Sequence, residues 1–276
     1  MSDSILLAEA DGVATLVLNR PDKLNAFADA MREAFIAAID AVAASATARV
    51  LVITGAGRAF CAGGDVGFMA RLKQEGRAFA GGLEPLVDTG RTGIAKLWAL
   101  PIPTLAAVNG AAAGGGANLA LACDLRIASD RASFGQSFVK IGLHPDWGGT
   151  YFLPRLVGVA KALELGWLGD QVDAAEALRI GMVERVLPHD RLLDETRALA
   201  ARLAAAPPHV LRAVKRTMRA GLERGLDECL ADELETQAMC WNHADSDEGI
   251  RAFAERRAPA FGRSREADPA IGGRFE

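Results

Sequence analysis

The sequence predicts an α/β protein that continues into a helical region, and three observations support this prediction. In the first half, short apolar runs rich in β-branched residues alternate with segments of helical spacing. After Gly158, almost every segment has helical spacing. With 276 residues, of which 50% are hydrophobic and 24% charged, the chain can bury a sizeable core. Alternation of this kind is typical of a sheet whose strands pair in parallel.

Four segments of the first half are predicted to be strands. They are apolar, most are rich in β-branched residues, and they are bounded by turn residues; they span 13–19, 50–54, 104–109 and 124–128. Between the first two, Met31, Phe35, Ile39 and Val42 recur at helical spacing. The order strand, helix, strand therefore opens the chain.

The second half is predicted to be helical, with one short strand at 182–187. We expect the α/β body to occupy residues 1–200 and the helical region residues 201–276, with faces that can pack on neighbouring subunits. The last dozen residues are expected to be poorly ordered. The predicted helical segments span 159–168, 174–181, 190–206, 209–222, 226–241 and 246–257.

Charge and hydropathy argue against nucleic acids and membranes as partners. The formal net charge is −4, and no long basic run is present. No stretch approaches the roughly 20 apolar residues that cross a bilayer. The first residues, MSDSILLAEADG, are acidic and do not resemble a secretory signal. We therefore expect a cytoplasmic protein.

The cysteines and histidines predict neither disulfides nor a metal site. No CxxC pair is present, and the histidines are scattered through the sequence. We expect free, mostly buried thiols and no metal or redox cofactor. The residues concerned are Cys61, Cys123, Cys229, Cys240, His144, His189, His209 and His243.

Two glycine-rich turns each follow a predicted strand, at 55–65 and 110–118. Neither ends in the GK[ST] of a phosphate-binding loop, and the first has Phe60 where a dinucleotide fingerprint requires glycine. Glycine pairs at a helix start leave backbone N–H groups without an intrahelical partner and allow a ligand to approach the backbone. Two such N–H groups directed at one point would form an oxyanion hole.

Several linked motifs together resemble the enoyl-CoA hydratase/isomerase, or crotonase, superfamily. They occur in the order of that family, and the resemblance extends from near residue 10 to about 262. It implies a spiral of ββα units with a C-terminal helical trimerisation region, which assembles as a trimer or a dimer of trimers. It also implies acyl-CoA thioester substrates. The motifs are NRPDKLNAF (19–27), RAFCAGGD (58–65), AAVNGAAAGGGANLALACD (106–124), ASFGQSFVKIGLHPDWGGTYFLPRLVG (132–158) and AAEALRIGMVERV (174–186).

The resemblance also implies positions for the site. It assigns the two carbonyl-polarising N–H groups to Gly64 and Gly115. Cationic side chains in this region can pair with the phosphates of coenzyme A. Residues 66–100 are expected to form a variable wall of the pocket. The residues expected near coenzyme A are Lys23, Leu24, Ala26, Arg58, Ala62 and Asp65.

The absence of two carboxylates from this sequence suggests which reaction the protein catalyses. Hydratases with similar motifs hold a water with two glutamates, and this chain has Asn118 and Phe138 at those positions, where they are expected to contact substrate. The remaining candidate is Asp146, which the resemblance places beside the acyl pocket. Phe138 and Trp147 could raise its pKa by desolvation. Aspartate in a Pro-Asp-x-Gly turn also has a purely local explanation.

A single carboxylate suits a proton shuttle, so an enoyl-CoA isomerase is predicted. The chain most closely resembles phenylacetate-pathway isomerases, which act on ring-epoxidised phenylacetyl-CoA and also shift double bonds. The leading alternative is an enoyl-CoA hydratase. A non-catalytic acyl-CoA-binding or RNA-binding relative is a further alternative, although the helix at 27–44 offers only Arg32 on a face that would need to be lysine-rich. An aspartate-dependent dehalogenase would require a histidine within 66–100, which contains none.

Overall fold

The computed structural model describes residues 3–262, and the chain divides into two compact units. The first unit ends at Ala201 and the second begins at Arg202. The expectation of poor order for the last dozen residues lies outside the described residues. Between residues 3 and 262, no helix has both the length and the apolar character that crossing a membrane requires.

The strands form two sheets, and all of them belong to the first unit. The larger sheet has the order β1-β2-β3-β5-β7-β10, in which β1 and β2 are antiparallel and the other pairs are parallel. The smaller sheet has the order β4-β6-β8-β9. The strands are β1 (Ile5–Ala10), β2 (Val13–Leu18), β3 (Val50–Gly55), β4 (Ala59–Cys61), β5 (Thr104–Val108), β6 (Ala111–Ala113), β7 (Leu125–Ser129), β8 (Ser133–Gly135), β9 (Gln171–Asp173) and β10 (Arg185–Leu187).

The helices complete a repeated ββα pattern, which confirms the predicted fold class. β3, β5 and β7 each pass directly into a short strand of the smaller sheet, and a helical segment follows. The helices are α1 (Asp29–Ala44), α2 (Val66–Gln74), α3 (Glu84–Thr89), α4 (Ala95–Ala99), α5 (Gly115–Leu121), α6 (Gly149–Val157), α7 (Val159–Leu168), α8 (Ala174–Arg179), α9 (Leu192–Ala204), α10 (Pro208–Ala220), α11 (Leu226–Trp241) and α12 (Ala244–Ala254).

The burial of the long helices and strands explains why they could be predicted from the sequence. β3 is buried along nearly its whole length and β5 along all of it, as expected for strands with neighbours on both sides. In α1, Met31, Phe35, Ile39 and Val42 are all buried, so the predicted apolar stripe is the face that packs on the core. The four strands predicted in the first half are confirmed to within one residue.

The strand predicted over 182–187 was wrong in length. Only Arg185–Leu187 pairs with β7. The N–H groups of Met182 and Val183 both donate to the Ala177 carbonyl, at 2.8 and 3.3 Å. These two residues therefore close the end of α8 instead of extending the sheet.

In the second unit, α10 and α11 are joined by charged pairs. Arg216 and Arg224 both pair with Asp232, at 2.8 and 2.9 Å. The second unit also exposes large apolar side chains, a pattern typical of interaction surfaces. These side chains are Val214, Met218, Leu222, Leu226, Leu230, Leu234, Trp241, Ile250 and Phe253.

Candidate active site

A cavity of about 530 Å³ lies in the first unit, and both predicted oxyanion-hole glycines, Gly64 and Gly115, line it. Its wall also includes side chains from 66–87 and from the loop that precedes α6. Most of the wall is apolar: Val66, Met69, Phe79, Leu83, Leu86, Val87, Phe138, Ile141, Leu143 and Trp147. Such a cavity suits an apolar group held by a few polar contacts.

The two glycine-rich turns meet at this cavity. Gly63 has φ +87°, and a Cβ there would lie 2.6 Å from the Ala113 carbonyl oxygen and 3.2 Å from the Gly115 nitrogen. Glycine is therefore required both for its backbone conformation and for the close approach of the second turn. Among residues 3–262, neither the Gly64 N–H nor the Gly115 N–H has a hydrogen-bond acceptor. Both groups can therefore donate to a ligand in the cavity.

Gly116 lets α5 pack directly on the end of β4. A Cβ at Gly116 would lie only 2.1 Å from the carbonyl oxygen of Cys61. Burial raises the pKa of the Cys61 thiol to about 12, and its Sγ donates to the Asn25 carbonyl at 3.2 Å. Cys61 therefore fills space in the structure and has no nucleophilic character near neutral pH.

Asn25 holds the chain that leads into the first glycine turn. It is fully buried, and its amide donates to the carbonyls of Ala56 and Ala59, both at 2.9 Å. Its Oδ1 accepts the Arg20 N–H at 2.8 Å. Asn25 was not predicted as a residue of the site, although it lies in the KLNAF segment. Its positive φ of 58° is a conformation that asparagine tolerates well.

Asp146 lies in the cavity wall on a loop that Trp147 anchors. The Trp147 indole N–H donates to the Leu86 carbonyl at 2.9 Å, and the ring is only 3% exposed. The same ring packs over Gly115, where a Cβ would come within 3.2 Å of it. Burial raises the pKa of Asp146 from 3.8 to about 7, against an opposing hydrogen bond from its own N–H. It is the only carboxylate among the lining residues.

Asn118 is not among the residues that line the cavity, and its predicted contact with substrate stays a prediction. Asn118 is fully buried. Its Nδ2 donates to the main-chain carbonyl of Asp146 at 2.8 Å, and its Oδ1 accepts from Gln136 Nε2 at 2.8 Å. Asparagine here carries no proton-transfer chemistry and instead holds the Asp146 backbone in place.

Asp65 has a structural role, and its predicted position near coenzyme A stays a prediction. Its carboxylate caps α2 by accepting the Phe68 N–H at 3.1 Å, and it pairs with Arg20 at 3.2 Å. Burial raises the pKa of this carboxyl, but the hydrogen bonds from Phe68 and Arg20 outweigh burial and lower it. Asp65 therefore fixes the start of α2 and does not line the cavity.

The remaining predicted residues lie on the segments that lead to the cavity. Ala62 lines it, and the Ala62 N–H donates to the Leu24 carbonyl at 2.9 Å. Ala26 is buried, whereas Lys23 and Arg58 are exposed. Their two segments are adjacent, since a Cβ at Gly57 would lie 3.0 Å from the Cβ of Pro21. Phe138 lines the cavity and lies beside Gly114.

Comparison with known proteins gives consistent results over nearly the whole chain. A family model described as "Enoyl-CoA hydratase/isomerase" matches residues 8–264. A "Probable enoyl-CoA hydratase" from Rhodobacter capsulatus is 42% identical over 91% of this chain and 95% of its own. The "1,2-epoxyphenylacetyl-CoA isomerase" of Escherichia coli is 39% identical over 95% and 99%. A crystal structure of an enoyl-CoA hydratase from Bacillus anthracis superimposes with a TM-score of 0.87 at 34% identity, over 94% of this chain and 99% of that one.

Proposed function

Because the chain belongs to the enoyl-CoA hydratase/isomerase family, the crotonase superfamily, we propose that it is an acyl-CoA isomerase that moves a double bond with one aspartate. The observation that carries this proposal is the composition of the cavity. It combines two unpaired backbone N–H groups, from Gly64 and Gly115, with a single carboxylate, Asp146. An allylic proton shift needs these groups and no others.

The proposed reaction converts a 3-enoyl-CoA to the conjugated 2-enoyl-CoA. The Asp146 carboxylate takes a proton from C2, and the electron pair moves to the thioester oxygen, where the Gly64 and Gly115 N–H groups stabilise the negative charge. The carboxylic acid so formed returns the proton to C4, the C2–C3 bond becomes double, and the carbonyl re-forms. Each oxyanion donor is worth on the order of 10²–10³ in rate, and the positioned acid/base about 10²–10⁴.

The environment of Asp146 matches this role. A carboxyl with a pKa of about 7 is partly ionised at neutral pH, so it can both take and return a proton. The same two functions, proton transfer by Asp146 and stabilisation of the thioester oxygen, would serve the isomerisation of 1,2-epoxyphenylacetyl-CoA for which the Escherichia coli relative is named. We therefore propose double-bond isomers and ring-epoxidised phenylacetyl-CoA as the two substrate classes to test.

Hydration is the competing function, because a relative at 42% identity is named as a hydratase. Adding water to a 2-enoyl-CoA is favoured by a second acid/base that holds the water. No second carboxylate lines the cavity, Phe138 has no ionisable group, and Asn118 is occupied in hydrogen bonds to Gln136 and to Asp146. These observations favour isomerisation.

We propose that Lys23 and Arg58 contact the phosphates of coenzyme A, with Leu24, Ala26 and Ala62 beside them. Both cations are exposed and lie on adjacent segments next to the cavity residue Ala62. We expect no metal or redox cofactor in the reaction, since proton transfer requires none. We further expect a homotrimer or dimer of trimers, built through the helical region, that acts in the cytoplasm without nucleic acid or membrane partners.

The test is to incubate the purified protein separately with 3-enoyl-CoA, 2-enoyl-CoA and ring-epoxidised phenylacetyl-CoA, and to follow the products by chromatography. We expect conversion of the first or third substrate and little hydration of the second. Faster hydration of 2-enoyl-CoA than isomerisation of either other substrate would favour the hydratase. Binding of all three without turnover would favour a non-catalytic relative.

Variants of Arg58 test the position of coenzyme A. Replacing the exposed cation by alanine should raise KM for the CoA thioester and leave KM for the matching pantetheine thioester unchanged, because only the former carries the nucleotide phosphates. The control is Arg185→Ala, which also removes an exposed arginine of the first unit. Equal effects of the two variants would contradict the assignment.

A further inference from the structure

The second unit brings together three side chains that can bind a metal ion: His209, His243 and Asp245. His209 is the second residue of α10, His243 directly precedes α12, and Asp245 is in the first turn of α12. One ligand atom from each lies within 4.8 Å of the others. The sequence predicted no metal site because its histidines are scattered, but two of them lie close together in the folded second unit.

The two distances to Asp245 are close to those between ligands of one small cation. The Nδ1 atoms of His209 and His243 lie 3.5 and 3.6 Å from the Oδ2 of Asp245. Two ligands at about 2.0–2.1 Å from a tetrahedral Zn²⁺ are about 3.3–3.4 Å apart. The two imidazole rings are stacked, with centroids 3.6 Å apart and planes inclined by 24°. Because each Nδ1 lone pair lies in its own ring plane, the two rings would have to turn apart for both to bind one ion.

The carboxylate oxygen of Asp245 that faces the two histidines accepts no hydrogen bond within the described residues. The Asp245 side chain is only 4% exposed. Oδ1 accepts the Gly262 N–H at 2.8 Å, but Oδ2 has no hydrogen-bond partner among the described residues. Buried carboxylate oxygens without a partner are rare in native proteins. This oxygen is an independent indication of a cation.

His243 uses its Nδ1 as a hydrogen-bond acceptor at the start of α12. Its Nδ1 accepts the Asp245 N–H at 3.1 Å, which places the lone pair, and not the proton, on this nitrogen. A metal ion would take over this lone pair, and the first turn of α12 would adjust to the loss of its cap. The His243 side chain is 25% exposed, which opens a path from solvent to the other two residues.

We propose that His209, His243 and Asp245 form a structural site for a divalent transition metal of the Zn²⁺ type, with water as the fourth ligand. Two imidazoles and one carboxylate suit Zn²⁺, whereas Ca²⁺ and Mg²⁺ prefer oxygen ligands alone. The ion links the start of α10 to the start of α12. The site is independent of the proposed reaction, which uses only residues of the first unit.

The test uses the full-length protein, freed of any affinity tag, dialysed against a chelator and then titrated with Zn²⁺ in competition with a chromophoric chelator. We expect about one equivalent bound, a higher Tm in the presence of Zn²⁺, and loss of binding below about pH 6 as the imidazoles take up protons. Co²⁺ should give the absorption bands of a tetrahedral N/O site.

The decisive variant is His243→Ala, because this side chain is partly exposed and its removal leaves the Asp245–Gly262 hydrogen bond in place. It should lower Zn²⁺ affinity at least tenfold, about the loss expected when a site is disrupted, and abolish the Zn²⁺-dependent rise in Tm. The matched control is His189→Ala, which removes a histidine of the first unit bonded to Ser129. Circular dichroism checks that both variants are folded.

Absence of stoichiometric binding by the wild-type protein would overturn the proposal, as would equal binding by His243→Ala and His189→Ala. A Tm that depends on pH in the metal-free protein and does not respond to Zn²⁺ would also overturn it. That result would identify the cluster as a protonated imidazole paired with a carboxylate.

Discussion

Replacing Asp146 by asparagine should abolish most turnover and at the same time stabilise the folded protein. The substitution keeps the shape of the side chain and removes its charge. Within residues 3–262 the carboxyl has no hydrogen-bond partner on another residue, so no hydrogen bond there is lost apart from the one to its own N–H. The loop itself is held through the main-chain carbonyl of Asp146, which accepts from Asn118, and through the indole of Trp147. We expect the fold and acyl-CoA binding to be unchanged.

The gain in stability follows from the pKa of Asp146. The unfolded chain ionises this carboxyl near its ordinary pKa of 3.8, and the folded chain near a pKa of about 7. Between these values the unfolded state has released a proton that the folded state still holds, so stability falls as pH rises and stays at its lower level above about 7. The difference between the two pKa values corresponds to at most about 4 kcal/mol. Partial exposure of the carboxyl reduces this figure, and we expect a gain of about 1–3 kcal/mol at pH 8 for Asp146→Asn.

The assay has two parts. Urea unfolding of wild type and Asp146→Asn at about pH 4 and pH 8 should show the gain at the higher pH and its disappearance at the lower one. Turnover of 3-enoyl-CoA should fall by about 10²–10⁴. The matched control is Asp190→Asn, which removes an exposed carboxyl of the first unit outside the cavity and should change neither quantity.

Two results would refute this reasoning. Turnover of Asp146→Asn within about tenfold of wild type would show that another group moves the proton, since a positioned acid/base is worth more than this. An equal stability difference at both pH values would show that Asp146 is not desolvated in the folded protein. Either result would remove the basis of the proposed isomerase.

Three further predictions concern the same cavity. Turnover by wild type should fall as pH drops through about 7, because Asp146 takes the proton only when ionised; a flat profile between about pH 6 and 8 would contradict its role. Gly116→Ala should cost about 1–3 kcal/mol or more in urea unfolding, because its Cβ would lie 2.1 Å from the Cys61 carbonyl oxygen. Gly166→Ala, in open space within α7, should instead gain about 0.5–1 kcal/mol, and similar costs for both would refute the packing argument. Asn118→Ala should cost about 1–3 kcal/mol and lower kcat more than it raises KM, because it leaves the Asp146 carbonyl without its donor; an unchanged kcat would exclude a positioning role.

Much of the fold could be predicted from the sequence because its main elements are long and regular. The stripe of apolar residues along α1 and the buried runs of β3 and β5 extend over several turns or residues, so their periodicity is clear. The strands of the smaller sheet were missed. β4, β6, β8 and β9 have three residues each, which is too short for any alternation to be recognised.

The edge strand β1 was also missed. Five of its six side chains are exposed, so it lacks the alternation of buried and exposed residues that marks a strand with one face on the core. β1 is stabilised by its pairing with β2, and the sequence of β1 alone does not indicate this pairing. The helices between 66 and 99 were missed for a related reason, since they are short and interrupted by turns.

For the site, the sequence by itself showed the two glycine turns, because these are local facts of residue type and spacing, whereas Asp146 and the two positions that lack glutamate were singled out through the resemblance to the crotonase superfamily. Only the tertiary structure decided what surrounds them. It buries Asn118 behind the wall, where it holds the Asp146 backbone, and it uses the Asp65 carboxylate to cap α2 and pair with Arg20.

The same distinction holds for the second unit. His209 and His243 are separated in the sequence by most of α10 and by α11. The contact of His243 with Asp245 is local to the start of α12, whereas His209 reaches Asp245 only through the folding of the second unit. The spacing of residues along the sequence indicates which side chains share a face of one helix or strand. Which side chains from different elements approach each other depends on how those elements pack.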